Sequence, residues 1–365
     1  MHALFSKYPR LLHKIPLFSI GAFPTPADKL QNLCTTLNRD LLYIKRDDIS
    51  AVPYGGNKVR KLELLIGDAL SKGARRVITS GAAGSNHALA TAIYAGKAGL
   101  KTTLMLFTQP NSLAVRNNLL MDLYCGAELF HDDNFELHRR HVADIIKHYE
   151  YKEGKAPYVI PSGGSSPLGI TGYVNAAFEL RSQIDDRRIP EPSSIHVAFG
   201  TMGTAAGLLL GMKASGIKSR LIMVRVVPVT VADMNRFDAL YNEGNRLLHG
   251  LDQSFPLLPF TSGEWELRDQ YLGGGYGLYD GRIREAVELA EKTEEIHLDP
   301  TYSGKAFASF IDEARENNNG ALLFWNTKNS RPYPLEALSL DYHRLPKEFY
   351  RYFEEEAPQP ASVPE

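Results

Sequence analysis

From about residue 74 to residue 230, short β-rich runs alternate with stretches of helical periodicity, and this alternation restricts the chain to few architectures. RRVITSG precedes SNHALATAIYAGKAG, and KTTLMLF precedes LAVRNNLLMDLYCGA. The pattern continues through PYVIPSG with GITGYVNAAFELRSQI, SSIHVAFG with GTAAGLLLGMKASG, and SRLIMVRVV with ADMNRFDALYNEGNRLL. Strand segments this apolar on both faces, joined by helical crossovers, predict an α/β fold with buried, open parallel sheets flanked by helices.

Three strand ends run straight into small-residue loops that open helices: TSGAAGSNHA, IPSGGSSPLG and FGTMGTAAG. Ligands of open α/β sheets sit at the carboxyl ends of strands, and helix N-termini offer free N–H groups and a positive dipole end to anions. One such loop reads first as a tight turn, but three together point to a multipart anionic ligand. Gly200, Gly203 and Gly207 lack the G-x-G-x-x-G spacing, so the sequence does not support NAD binding. Gly304-Lys305 is followed by Ala306, and Asp299 stands where a P-loop would open with glycine, which argues against an ATP loop. Lys+Arg 41 against Asp+Glu 42 gives a net charge of −1, so no field of one sign exists to hold nucleic acid. No apolar run approaches the roughly 20 residues that a bilayer-spanning helix needs. Cys34 and Cys125 are too few for a disulfide framework or a four-cysteine zinc site. The expectation is a soluble cytoplasmic protein, with no membrane partner.

The segment GGNKVRKLELLIGDAL holds the most informative lysine. Gly55 and Gly56 form a turn, Asn57 is a good N-cap, and Lys58 begins a helix with apolar Val59, Leu62, Leu65 and Ile66. A first-turn lysine faces the positive end of the helix dipole, with Arg60 and Lys61 close by, which favours the neutral amine that Schiff-base chemistry needs. Ser85, Asn86 and His87 open the helix after RVITSGAAG and could hold a carboxylate or phenolate. Tyr302, in HLDPTYSGKA, and Tyr276, on the glycine-rich YLGGGYG, are candidate proton donors if a nearby cation depresses a phenol's pKa. His138 and His141 could share a helix face, but no acidic or cysteine partner stands at a standard zinc spacing; the reading is a solvated helix and no metal.

At these residues the sequence resembles the pyridoxal-phosphate-dependent D-cysteine desulfhydrase and 1-aminocyclopropane-1-carboxylate deaminase family, with its two-domain tryptophan synthase β-like fold. The likeness runs through FPTPADKL, KRDD, GGNKVRKLE, SNH, IPSGGSSPLGITGY, GTMGTAAGL, GGGYG and DPTYSGKA. It implies pyridoxal 5'-phosphate as cofactor and Lys58 as the lysine that forms a Schiff base with it and later shuttles protons. Asn86 would bond the cofactor's phenolate oxygen, and Ser85 with His87 would meet the substrate carboxylate or the departing group. The loop Gly200, Thr201, Met202, Gly203, Thr204 would cradle the phosphate, helped by Lys61, while Tyr276 and Tyr302 would line the substrate side.

In the family the residue after the D-P-x-Y tyrosine separates ring-opening deaminases, with glutamate, from desulfhydrases, with a small hydroxyl residue. Here it is Ser303, which would bind the cofactor as a neutral partner of its pyridine nitrogen and so implies α,β-elimination from a small amino acid, D-cysteine first, giving pyruvate, ammonia and hydrogen sulfide. The rivals are 1-aminocyclopropane-1-carboxylate deamination and a cofactor-binding protein with little or no turnover. Four departures stand out: Ala82 for glycine, Gly84 for glutamine, Met202 for glycine, which demands an ordinary backbone conformation there, and Asn326, Thr327 and Lys328 in a rebuilt last loop. The resemblance further implies a homodimer. It also implies a large cofactor-binding domain of residues 1–60 and 172–350 and a small α/β domain of 61–171, while the acid- and proline-rich EEEAPQPASVPE, without hydrophobic spacing, reads as a flexible tail at 351–365.

Overall fold

The computed structural model describes residues 2–316 and 320–356. The described residues form ten strands: β1 (Ala27–Lys29), β2 (Leu42–Arg46), β3 (Arg76–Ala82), β4 (Lys101–Phe107), β5 (Glu128–Asp132), β6 (Tyr158–Ile160), β7 (Pro192–Phe199), β8 (Arg220–Arg225), β9 (Trp265–Arg268) and β10 (Ala321–Asn326). They form a six-stranded sheet in the order β1-β2-β10-β7-β8-β9 and a four-stranded sheet in the order β5-β4-β3-β6. Every pairing is parallel except β1 with β2, an antiparallel edge that the sequence pattern does not foreshadow.

Period-two geometry explains why the central strands look apolar throughout. In β10, Leu323 and Trp325 join the core on one face of the large sheet, while Leu322 and Phe324 join the core on the other. β8 divides in the same way, with Leu221 and Met223 opposite Ile222 and Val224. Helices Pro167–Asp185 and Gly203–Ser215 cover the first face. Helices Gly281–Glu294 and Ser303–Glu316 cover the second. Gly207 lets the first two helices touch, since a Cβ there would fall 2.3 Å from the Ile170 carbonyl oxygen.

A buried charge cluster ties the helix Lys58–Ser71 to this framework. Arg60 reaches Asp47 at 2.7 Å and Glu179 at 2.9 Å, and Lys45 reaches Glu179 at 2.5 Å. Gln183 Oε1 and the Thr25 carbonyl also accept from Lys45, and Tyr173 and Trp325 both donate to Asp47. Burial alone would raise the Glu179 pKa, but Arg60 and Lys45 outweigh it and hold the carboxyl down to about 2.

The chain end corrects one expectation. Arg351–Glu354 is a helix whose Tyr352 is buried, its hydroxyl accepting from the Gln109 N–H while its carbonyl accepts from Arg116. Aromatic packing through Tyr352 and Phe349 offsets the cost of ordering this acidic stretch; the rest of the expected tail, 357–365, lies outside the described residues.

Glu179→Gln removes one anion from two buried cations and is expected to destabilise the fold by about 3–5 kcal/mol, read as a lower urea midpoint at unchanged slope. The depressed carboxyl also sets an acid limit. Its contribution is complete above the ordinary value of 4.5 and lost as the pH falls toward about 2, so the urea midpoint followed downward through that window falls further in the wild type than in Glu179→Gln.

Candidate active site

The carboxyl ends of both sheets supply the site, which starts at Lys58. The preceding turn is fixed from outside: Gly55 N–H donates to Asn329 Oδ1 at 2.7 Å, Gly56 N–H to the Asp47 carbonyl at 2.8 Å, and Asn57 N–H to the Thr327 carbonyl at 3.1 Å. Gly56 has φ +91°, and a Cβ there would lie 2.9 Å from the Thr327 carbonyl oxygen, so both conformation and space require glycine. Asn57 does not cap its helix by side chain; its Nδ2 donates to Thr204 Oγ1 at 3.0 Å and joins the lysine turn to the loop after β7. Desolvation lowers the Lys58 pKa to about 8. Arg60 is not the cause, because its guanidinium is paired with Asp47 and Glu179. One turn along, Lys61 donates to the Gly163 carbonyl at 3.0 Å, and burial together with the Lys58 charge pushes its pKa well down.

Helix Asn86–Lys97 opens at the end of β3 with Ser85 as N-cap, its Oγ accepting from Ala88 N–H and keeping its own proton to give. The Asn86 Oδ1 accepts from Tyr54 and from Asn118 Nδ2, both at 3.1 Å. Among the described residues no acceptor meets Asn86 Nδ2, so this amide presents donors. His87 is placed differently from the expectation. Its ring is 3% exposed, and its Nε2 lies 2.9 Å from Thr79 Oγ1, whose own proton goes to the Ile160 carbonyl. Burial, then the charges of Lys58 and Lys61, hold the imidazole neutral, so it offers no cation to a carboxylate. The helical histidines also differ from the solvated reading, since His138 is buried and both His138 and His141 turn Nδ1 to Asp132 at 2.8 Å.

The loop Gly200–Thr204 leads from β7 into helix Gly203–Ser215. Gly203 N–H meets Ser165 Oγ, and that hydroxyl donates to Thr201 Oγ1 at 3.0 Å. A Cβ on Gly203 would stand 2.6 Å from Ser165 Oγ and 2.9 Å from Lys61 Nζ, so a helix start, a hydroxyl and a lysine nitrogen converge on one small cradle. Met202 does not take the ordinary conformation expected of it. It sits at φ +69°, its buried side chain packed in the core beneath.

Tyr276 and Tyr302 meet hydroxyl to hydroxyl at 2.5 Å, and the Tyr302 ring comes beside Gly200. Neither phenol is acidified. Burial raises both, Tyr276 to about 12, so the pair holds two protons, one shared within it and one to give. Ser303 is fully buried and turned back on its own turn, donating to Asp299 Oδ2 at 2.8 Å while accepting from Asp299 N–H at 2.9 Å. Its single proton is therefore committed to Asp299.

Residues 18–327 match the family described as pyridoxal-phosphate dependent enzyme. The chain belongs to that family. A D-cysteine desulfhydrase of Salmonella schwarzengrund is 36% identical over 332 residues, covering 87% of this chain and 94% of the relative. A Pyrococcus horikoshii protein provisionally named a 1-aminocyclopropane-1-carboxylate deaminase is 38% identical over 323 residues, covering 87% and 93%. Among solved structures, one described as an ACC deaminase homologue superposes with a TM-score of 0.75 at 36% identity, covering 93% of this chain and 99% of that one. The Lys58 amine is chemically suited to a carbonyl, the Gly203 cradle to a phosphate, and the Asn86 donors to a phenolate.

Sequence reasoning missed the supports of these groups. Ser165 stands out in the sequence only as one residue of the loop IPSGGSSPLG. Tyr54, Asn118 and Tyr333 hold Asn86 through a relay in which Tyr333 donates to Asn118 Oδ1 at 2.6 Å, and no local motif marks any of them. Gln109 Oε1 accepts from Gly84 N–H, and Gly84 itself has no room for a side chain, since a Cβ would lie 3.0 Å from the Val115 Cα.

A positive φ costs a non-glycine residue roughly 1–2 kcal/mol, while truncating a buried methionine to alanine costs roughly 2–5 kcal/mol. Met202→Ala loses the packing and keeps the strain; Met202→Gly loses the packing and relieves it. The glycine variant is expected to be the more stable of the two by about 1 kcal/mol in urea unfolding, the reverse of the order inside a helix.

Proposed function

We propose that the protein is a pyridoxal-phosphate-dependent lyase that removes a β leaving group from a small amino acid, with D-cysteine as first substrate. The overall change is D-cysteine plus water to pyruvate, ammonia and hydrogen sulfide. The observation that carries this reading is the pairing of a desolvated Lys58 amine with a doubly protonated tyrosine pair, a base and an acid in one site. When bound, the cofactor accepts the electron pair left at the substrate Cα. Lys58 Nζ, favoured as the neutral amine by desolvation, takes the Cα proton. The free proton of the Tyr276–Tyr302 pair goes to the departing sulfur, and the remaining phenol hydrogen bond steadies the phenolate that results. Ser85 Oγ–H, at a helix start, holds the substrate carboxylate in this reading. Ser303 supports elimination over ring opening, since it puts no charged side chain after Tyr302.

The reading includes a homodimer acting in the cytoplasm, and residues 61–171 working as a unit against 1–60 and 172–350. Among the described residues no helix is long and apolar enough to cross a membrane, and both cysteines are free thiols, which agrees with that place of action.

Purified protein reconstituted with cofactor is expected to release sulfide and pyruvate from D-cysteine in equal amounts. Formation of 2-oxobutanoate from 1-aminocyclopropane-1-carboxylate without sulfide from D-cysteine would move the assignment to ring opening, and a cofactor band that no amino acid perturbs would make this a binding protein. Lys58→Ala is expected to lose turnover by more than about 10³-fold and to lose the borohydride-trapped adduct, located by peptide mapping.

A further inference from the structure

One buried cation has no part in the chemistry above. Lys305 belongs to the Gly304-Lys305 pair that resembles a nucleotide loop without being one, and its side chain is fully buried in the first turn of helix Ser303–Glu316. It forms no ion pair with any of the described carboxylates. Its Nζ donates instead to the Leu272 carbonyl at 2.7 Å and to the Gly275 carbonyl at 2.9 Å.

Both acceptors lie in the glycine-rich loop that carries Tyr276. Gly273, Gly274, Gly275 and Gly277 adopt φ values of +63°, +91°, +147° and +74°. Such a run has wide conformational freedom, and its own turn bonds are long: Gly275 N–H to the Leu272 carbonyl at 3.3 Å and Leu278 N–H to the Gly275 carbonyl at 3.4 Å. The loop also bridges the two sheets, since a Cβ on Gly277 would stand 3.5 Å from the Pro110 ring in the segment after β4. Desolvating an ammonium is costly, and burial brings the Lys305 pKa down to about 8 against the opposing pull of Asp299 and Asp280. An apolar side chain would avoid that cost but could not hold two carbonyls.

We propose that Lys305 is a positioning residue whose ammonium clamps the glycine-rich loop to the helix start bearing Tyr302, so that Tyr276 and Tyr302 meet across the active site. Because Lys305 follows Tyr302 by three residues, one side chain fixes the reach between the two phenols. The inference rests on the role given to that pair under the proposed function.

The test uses the cofactor-loaded protein and Lys305→Met. Without substrate, amide hydrogen exchange in residues 272–278 is expected to quicken by about tenfold or more in the variant, with the cofactor band and the exchange of the sheets unchanged. Unchanged exchange in that loop overturns the clamp whatever the substrate proves to be. With the amino acid that the turnover assay identifies, kcat is expected to fall about 10- to 100-fold with a smaller change in KM. The same substitution in a Tyr276→Phe background is expected to add little. A full loss in that background would mean that Lys305 acts elsewhere, and would overturn the proposal. If Lys305→Met does not fold, Lys305→Gln, which keeps a donor but shortens its reach, is read in the same way. Failure of D-cysteine as substrate changes the assigned reaction and leaves the exchange result to decide the clamp.

Discussion

The buried cluster of Arg60, Lys45, Asp47 and Glu179 is the constraint on which the site depends. Two cations and two anions are fully removed from water, so each is tolerable only while the others stay in place. Arg60 lies two residues after Lys58, and on a helix that separates their side chains by roughly 200°. Anchoring Arg60 behind the helix therefore turns Lys58 toward the sheet ends. The same cluster takes Arg60's charge out of the electrostatics of the site, which leaves desolvation to set the state of the lysine amine.

Around that anchor the site is assembled from loops that only the fold brings together. Thr327 and Asn329 after β10 hold the turn before Lys58, Asn57 links that turn to Thr204 after β7, and Ser165 after β6 closes the cradle at Gly203. The four-stranded sheet contributes Ser85 and Asn86 at the end of β3. Tyr276 comes from the loop after β9 and Tyr302 from the turn between helices Gly281–Glu294 and Ser303–Glu316. All of these groups except Tyr302, which lies between two helices, follow the carboxyl end of a strand, where helix starts leave N–H donors and small residues leave space.

The departures from the family pattern find physical explanations here. Gly84 is small because the Val115 backbone occupies the space a side chain would need, with the Gln109 amide supplying the contact to its N–H. Met202 accepts a strained backbone because its side chain is packed in the core beneath the large sheet. The rebuilt loop at 326–329 serves the lysine turn through its backbone and through Asn329.

The sequence by itself determined the alternation of strand and helix from residue 74 to residue 230, the small-residue loops that open three helices, and the helix that begins at Lys58. Those features are local: a period of two or 3.6, a glycine that opens a turn, and a lysine at a helix start are visible within a dozen residues. The short edge strand β1, the neutral and buried state of His87, the raised rather than lowered tyrosine pKa values, and the capture of the Ser303 proton by Asp299 were decided by tertiary structure. Each depends on how much water surrounds a group and on which partner from a distant segment meets it. Desolvation and long-range hydrogen bonding have no signature in sequence spacing, which is why the loops that carry the candidate residues were legible and the protonation and partners of those residues were not.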